Sequence, residues 1–253
     1  MLDIYRRFED DLSLLDRKAL FAMVYAAGGL ACIFYLKNPE VLYSFLKGTR
    51  FADFGWFVAY SSDNNFPSLV WWVAVAVVFY VVLPMFAIKF LFRRPLGDFG
   101  LNFRIESGFA KLLLQCIAIM LPLVYLMSLT SGFSAKYPFL HIYDGSPYLG
   151  WTLVCWELIY FVQFFGLEFF FRGFLLHSLK PSLGPYAIFV MTVPYCMIHF
   201  GKPMPETFAA IFAGIFLGWL SFKNGNIWMG LALHCTVALS MDVLALYNKS
   251  LLF

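Results

Sequence analysis

The sequence predicts an all-α, polytopic transmembrane bundle of about seven or eight membrane helices, and three observations predict it. Of 253 residues, 62% are hydrophobic and 13% charged, and the mean hydropathy is +0.76, a balance that belongs to membrane proteins. The apolar residues gather into successive runs, several of them near the roughly 20 residues a helix needs to cross a bilayer. Backbone groups in lipid must satisfy one another, which makes helix the default for such runs. No long polar linker separates them, so residues 1–253 read as a single integral-membrane domain.

Residues 1–18, MLDIYRRFEDDLSLLDRK, mix acids and bases and lack the order and cleavage site of a signal peptide, so the first span is expected to remain in the mature protein. Spans follow at 19–36, 69–92, 110–129, 149–176, 186–199, 207–222 and 227–246. The fourth is longer than a bilayer requires and the fifth shorter, which leaves room for a tilted or broken helix and an eighth element. RRPLGDFGLNFRIESG reads as a connection with turn glycines and room for an interfacial helix, whereas SSDNNFPS and SAKYPFLHIYDGSP read as loops on the opposite side.

With a cytoplasmic N-terminus, the inner segments collect Arg6, Arg7, Arg17, Lys18, Lys89, Arg93, Arg94, Arg104, Lys111, Lys180 and Lys223, leaving Lys37, Lys47, Arg50, Lys136, Lys202 and Lys249 outside. That majority favours an inside N-terminus. The net charge of +3 forms no basic stripe, so a nucleic-acid partner is not expected and the lipid bilayer is the surrounding the chain is built for. Cys32, Cys116, Cys155, Cys196 and Cys235 share no CxxC or other metal-type spacing and read as free thiols in apolar runs.

A charge at the centre of a membrane helix costs about 2.5 to 3.5 kcal/mol, so those that persist usually face a partner or a polar cavity. Here they concentrate in the C-terminal half. The fourth span carries Glu157, Gln163, Glu168, Arg172 and His177, the fifth ends in His199, Glu206 follows it, and the seventh carries His234 and Asp242. An eleven-residue separation puts Glu157 and Glu168 on one helix face. Arg172 follows Glu168 by four residues, the spacing at which side chains one turn apart meet. Glu168 and Arg172 can thus be a structural ion pair, His199 a helix-end cap and His234 a helix-to-helix hydrogen bond. Together they can also place a general base, imidazoles and a polarising donor around one cavity, which is what splitting a peptide bond with water demands. No serine or cysteine nucleophile stands out and HExxH is absent.

At these residues the chain resembles the CAAX protease and bacteriocin-processing family (CPBP, or Abi), which includes the type II prenyl-protein endopeptidases. The family motif Glu-Glu-x-x-x-Arg is matched from Leu167 and Glu168 to Arg172, followed by GFLL. Phe-x-x-x-His is matched from Tyr195 to His199, with tyrosine for phenylalanine, and His-x-x-x-Asn or Asp starts at His234 but reaches Ala238. The resemblance covers 149–246, as the catalytic core.

The resemblance implies a membrane-embedded endopeptidase, with Glu168 as base, Arg172 orienting it, His199 sharing the water and His234 steadying the oxyanion. Leu167 stands where the family has its usual water-activating glutamate, so Glu157, Glu206 and Asp242 are candidate supporting residues. A divalent metal such as zinc would take Glu168, His199 and His234 as ligands, as in a metalloprotease-like site. The implied partner is a peptide or protein substrate, prenylated in some members, and the implied location is the bacterial inner (plasma) membrane. Leu167 and Ala238 favour a second class, a catalytically inactive scaffold that binds through the same cavity. A small proton-relaying transporter is a third, weakened by the lack of paired repeat halves.

Overall fold

The computed structural model describes residues 11–61, 65–141 and 150–251. Arg6 and Arg7, the middle of SSDNNFPS, the end of SAKYPFLHIYDGSP and the first residue of the fourth predicted span lie outside the described residues. The described chain is helical and forms no strand.

α1 (Arg17–Leu36) starts where the Asp16 carboxylate accepts the amide N–H of Lys18 at 2.8 Å and of Ala19 at 3.3 Å. Two short helices follow, α2 (Pro39–Leu46) and α3 (Ala52–Tyr60); neither was expected, because 39–60 holds no apolar run of membrane length. α4 (Phe66–Leu91) crosses next and takes π-helical turns at Val78–Val82 and Ala87–Leu91, on either side of Pro84. A proline inside a helix removes one amide donor, and wider turns absorb the disturbance.

The connection before α5 (Phe109–Ser128) makes one 3₁₀ turn, Leu96–Phe99, in place of an interfacial helix. Gly100 closes it at φ 88°, a left-handed conformation that favours glycine, and its carbonyl accepts the N–H of Ile227 at 3.2 Å. Then come α6 (Ser131–Lys136), α7 (Trp151–Leu183), α8 (Tyr186–Met197), α9 (Met204–Asn224) and α10 (Trp228–Asn248). Among the described residues, six helices are long and apolar enough to cross a membrane, and α8 is a seventh, shorter apolar helix. The protein is an all-α, multi-pass integral membrane protein.

α7 is the axis of the bundle. Its 33 residues extend about 50 Å, well beyond a hydrocarbon core of about 30 Å. Phe169, Phe170, Phe171, Phe174, Leu175, Leu176 and Leu179 are all buried, packed among α1, α4 and α8. A helical stretch apolar on every side can bury every side, and Phe169–Leu175 does, whereas Trp151, Leu158 and Val162 nearer the start of α7 are exposed. By contrast α5 leaves Leu114, Ile119, Leu123 and Leu126 exposed, a surface suited to lipid.

Hydrogen bonds between connections sort the helix ends into two groups. At one end Ser182 donates to Asp16 at 2.7 Å, Lys180 to the Phe222 carbonyl at 2.7 Å and Asn226 to the Arg104 carbonyl at 2.9 Å. At the other, Trp71 donates to the Leu36 carbonyl at 2.7 Å, Asn248 to the Ser128 carbonyl at 2.9 Å and Lys249 to the Tyr137 carbonyl at 2.7 Å.

Candidate active site

Glu168 is the last residue of the regular α-helical part of α7, and Arg172 lies in the π-helical stretch Phe169–Leu175 that follows. Both are without solvent contact, and Arg172 Nη1 lies 3.2 Å from Glu168 Oε1, so the pairing expected from their spacing forms. On α9 the Ser221 hydroxyl donates to the Arg172 carbonyl at 3.0 Å, supplying a partner inside the widened turn. Ser221 Oγ also lies 3.2 Å from His177 Nε2. With the hydroxyl hydrogen given to the carbonyl, the imidazole N–H is the donor of that second bond.

α10 brings His234 against this pair. Its Nδ1 lies 2.9 Å from Glu168 Oε1 and 3.1 Å from the carbonyl of Gly230, one turn earlier. Both neighbours are acceptors, so Nδ1 carries the hydrogen and, in the neutral ring, Nε2 is left to accept. Gly230 makes the approach possible: a Cβ at this position would run into the Glu168 carboxylate. Phe164 stacks on the His234 ring with centroids 5.3 Å apart and planes 14° apart.

α8 supplies Tyr195 and, just past its end, His199. The Tyr195 hydroxyl donates to His234 Nε2 at 3.0 Å, its ring lies 3.8 Å from Arg172 Cζ, and its carbonyl accepts from His199 Nδ1 at 2.8 Å. That last bond leaves Nε2 of neutral His199 as an acceptor. The Thr207 hydroxyl holds the His199 carbonyl at 2.9 Å from the first turn of α9.

Gln163, Leu167, Tyr195, His199, Glu206 and His234 all line a cavity of about 2310 Å³. Glu168 and Arg172 stand behind its wall. The Glu168 oxygens make close charge contacts but no well-directed hydrogen bond among the described residues, and Gln163 Oε1 is likewise unpartnered there. Leu167 and Ala238 are both buried on the wall, at 5% and 3% exposure.

Of the three supporting candidates, Glu157 and Asp242 pair away from the cavity, and Glu206 stays on its wall with partners other than Glu168. Glu157 shares a face with Glu168 but lies about 16 Å along the helix, too far to meet it. Its side chain instead meets Asp242 of α10, which also accepts the Trp156 indole N–H at 3.0 Å. Glu206 pairs with Lys202 Nζ at 2.6 Å and accepts the Tyr137 hydroxyl at 2.8 Å. Burial, followed by the Glu206 carboxylate, holds the Tyr137 phenol above its ordinary value.

The sequence assigns no role to Tyr195 beyond its place in the motif and none to Gly230. The tyrosine is the one departure from the motif that adds a polar group, a signal present in the sequence; nothing local marks the glycine. Among the described residues no three His, Cys, Asp or Glu side chains stand close enough together to hold a metal ion. Glu168 and His234 meet, but His234 gives Nδ1 to Glu168 and the Gly230 carbonyl and Nε2 to the Tyr195 hydroxyl, which leaves it no ring nitrogen for a metal, so the residues present do not fit a zinc site of Glu168, His199 and His234.

Fold and site together define a polytopic helical membrane protein with a carboxylate, a guanidinium and two imidazoles gathered beside an internal cavity. Residues 149–240 match the family described as type II CAAX prenyl endopeptidase Rce1-like. The matched stretch runs from α7 into α10 and contains Glu168, Arg172, Tyr195, His199 and His234. It supports a CAAX-type membrane endopeptidase at the level of the family. No curated protein and no solved structure matches the chain.

Proposed function

We propose that this protein is a membrane-embedded endopeptidase that hydrolyses a peptide bond with water activated beside Glu168, His199 and His234. The observation that carries the reading is the contact of one fully buried carboxylate oxygen, Glu168 Oε1, with both Arg172 and the cavity-lining His234. A lone structural ion pair has no need of an imidazole that bridges it to a cavity.

In this proposal His199 accepts the water proton at Nε2, because Nδ1 is committed to the Tyr195 carbonyl. The water oxygen adds to the substrate carbonyl carbon. The Arg172 guanidinium behind the wall supplies the positive charge that steadies the negative oxygen so formed, while His234, with its Nδ1–H given to Glu168 and the Gly230 carbonyl, holds that carboxylate in place. As the carbon–nitrogen bond breaks, the proton held on His199 passes to the leaving amine, giving a carboxylic acid and an amine. Glu168 therefore acts from behind the wall, whereas the sequence suggested that it takes the proton itself. The cavity wall includes Leu30 and Phe34 of α1 and Phe212 and Phe216 of α9, a lining suited to a lipid-modified peptide.

Incubating the purified protein in detergent with prenylated and unmodified peptides tests this. Cleavage is expected for the wild type, and a fall of about 10² to 10⁴-fold for Glu168→Gln, His199→Ala and His234→Ala. Full activity in Glu168→Gln would overturn the assignment. Leu167 and Ala238, both apolar on the wall, favour a non-catalytic binding scaffold as the second reading. That reading predicts peptide binding without cleavage.

A further inference from the structure

Tyr195 touches every charged or imidazole member of the site except Glu168. Its hydroxyl meets His234, its carbonyl meets His199 and its ring faces the Arg172 guanidinium. The residue is 1% exposed, and a phenol that deep is tolerated only with a partner. Phenylalanine, which the resembling motif carries here, would fill the same space at no such cost. The hydroxyl is therefore accounted for by its bond to His234 Nε2 and not by packing.

We propose that Tyr195 is a positioning residue that holds the two imidazoles of the site in complementary states. Glu168 and the Gly230 carbonyl keep the proton of the His234 ring on Nδ1, and the Tyr195 hydroxyl completes that state by donating to the bare Nε2. The Tyr195 carbonyl occupies Nδ1 of His199, so that ring keeps Nε2 free to accept. One residue thus braces the histidine that holds a proton toward the buried carboxylate and readies the other to take one from the cavity. Glu168, Arg172, Tyr195 and His234 close a ring of contacts across α7, α8 and α10. Phenylalanine could keep the carbonyl bond and the ring contact with Arg172 but not the tie to His234.

This inference rests on the peptidase reading for its consequence and on the geometry alone for its existence, so the experiment has two arms. The first compares wild type and Tyr195→Phe in the peptide assay. The expected result is KM within about twofold, kcat down about tenfold, and an altered pH profile of kcat, since a lost hydrogen bond is worth about one such factor. The second uses ¹⁵N-histidine-labelled protein in detergent. The chain has four histidines, so His→Gln variants assign each signal. Wild-type His234 is expected to show one neutral form with the hydrogen on Nδ1, and Tyr195→Phe the same form with its Nε2 signal shifted by loss of the hydrogen bond from the hydroxyl. Identical His234 signals in the two proteins, or unchanged kcat and pH profile in an active Tyr195→Phe, would overturn the proposal. Altered signals with a wild type that cleaves nothing would keep the Tyr195 tie and remove the peptidase reading.

Discussion

Glu168 and Arg172 lie side by side with no solvent contact, so removing either charge leaves the other stranded in an apolar interior. Arg172→Met is expected to cost about 3–5 kcal/mol, while the double change Glu168→Gln with Arg172→Met costs less, because it removes both charges. Thermal unfolding in detergent measures both, and a double variant no more stable than the single one would contradict it. Glu157→Gln, whose partner is Asp242, is expected to leave peptide cleavage within about twofold of wild type, since no contact links it to the histidines. The Glu168 and Arg172 pairing is legible in the sequence, because four residues make one helical turn. The identity of their third partner is not, because His234 arrives from another helix.

The π-helical stretch of α7 and the glycine of α10 show how helices shape the site. Ser221→Ala would leave the Arg172 carbonyl without its partner from α9, at an expected cost of about 1–3 kcal/mol. Gly230→Ala would push a methyl group into the Glu168 carboxylate, so α7 and α10 must separate or the carboxylate must leave His234. Cleavage is expected to fall by at least about tenfold while the protein remains inserted. Retention of full activity in Gly230→Ala would show that the contact between Glu168 and His234 is dispensable. At the N-terminus of α1, Ser182 and the Lys18 amide hold the Asp16 carboxyl below its ordinary value. A lowered carboxyl stabilises the fold above its unfolded value, and that contribution is lost as pH falls through the folded one. Ser182→Ala is therefore expected to shrink the acid-side loss of stability, read as the thermal midpoint against pH.

Across the whole molecule, six long spans and the short α8 carry the chain alternately between the two groups of helix ends. With the N-terminus inside, an impermeant thiol reagent is expected to label Lys249→Cys in sealed, right-side-out vesicles, and Lys223→Cys only after permeabilisation, both on a background without the native cysteines. The reverse pattern would invert the topology. Hydropathy and helical periodicity depend on neighbours within a few residues. They therefore settled the membrane class, the approximate bounds of each span, the motif order and the meeting of Glu168 with Arg172. They could not show that Glu157 meets Asp242, that Tyr195 reaches His234 over 39 residues of chain, or that Trp156 reaches Asp242 over 86. Those contacts depend on which helices are neighbours and how each is rotated about its axis, and helix packing decides both.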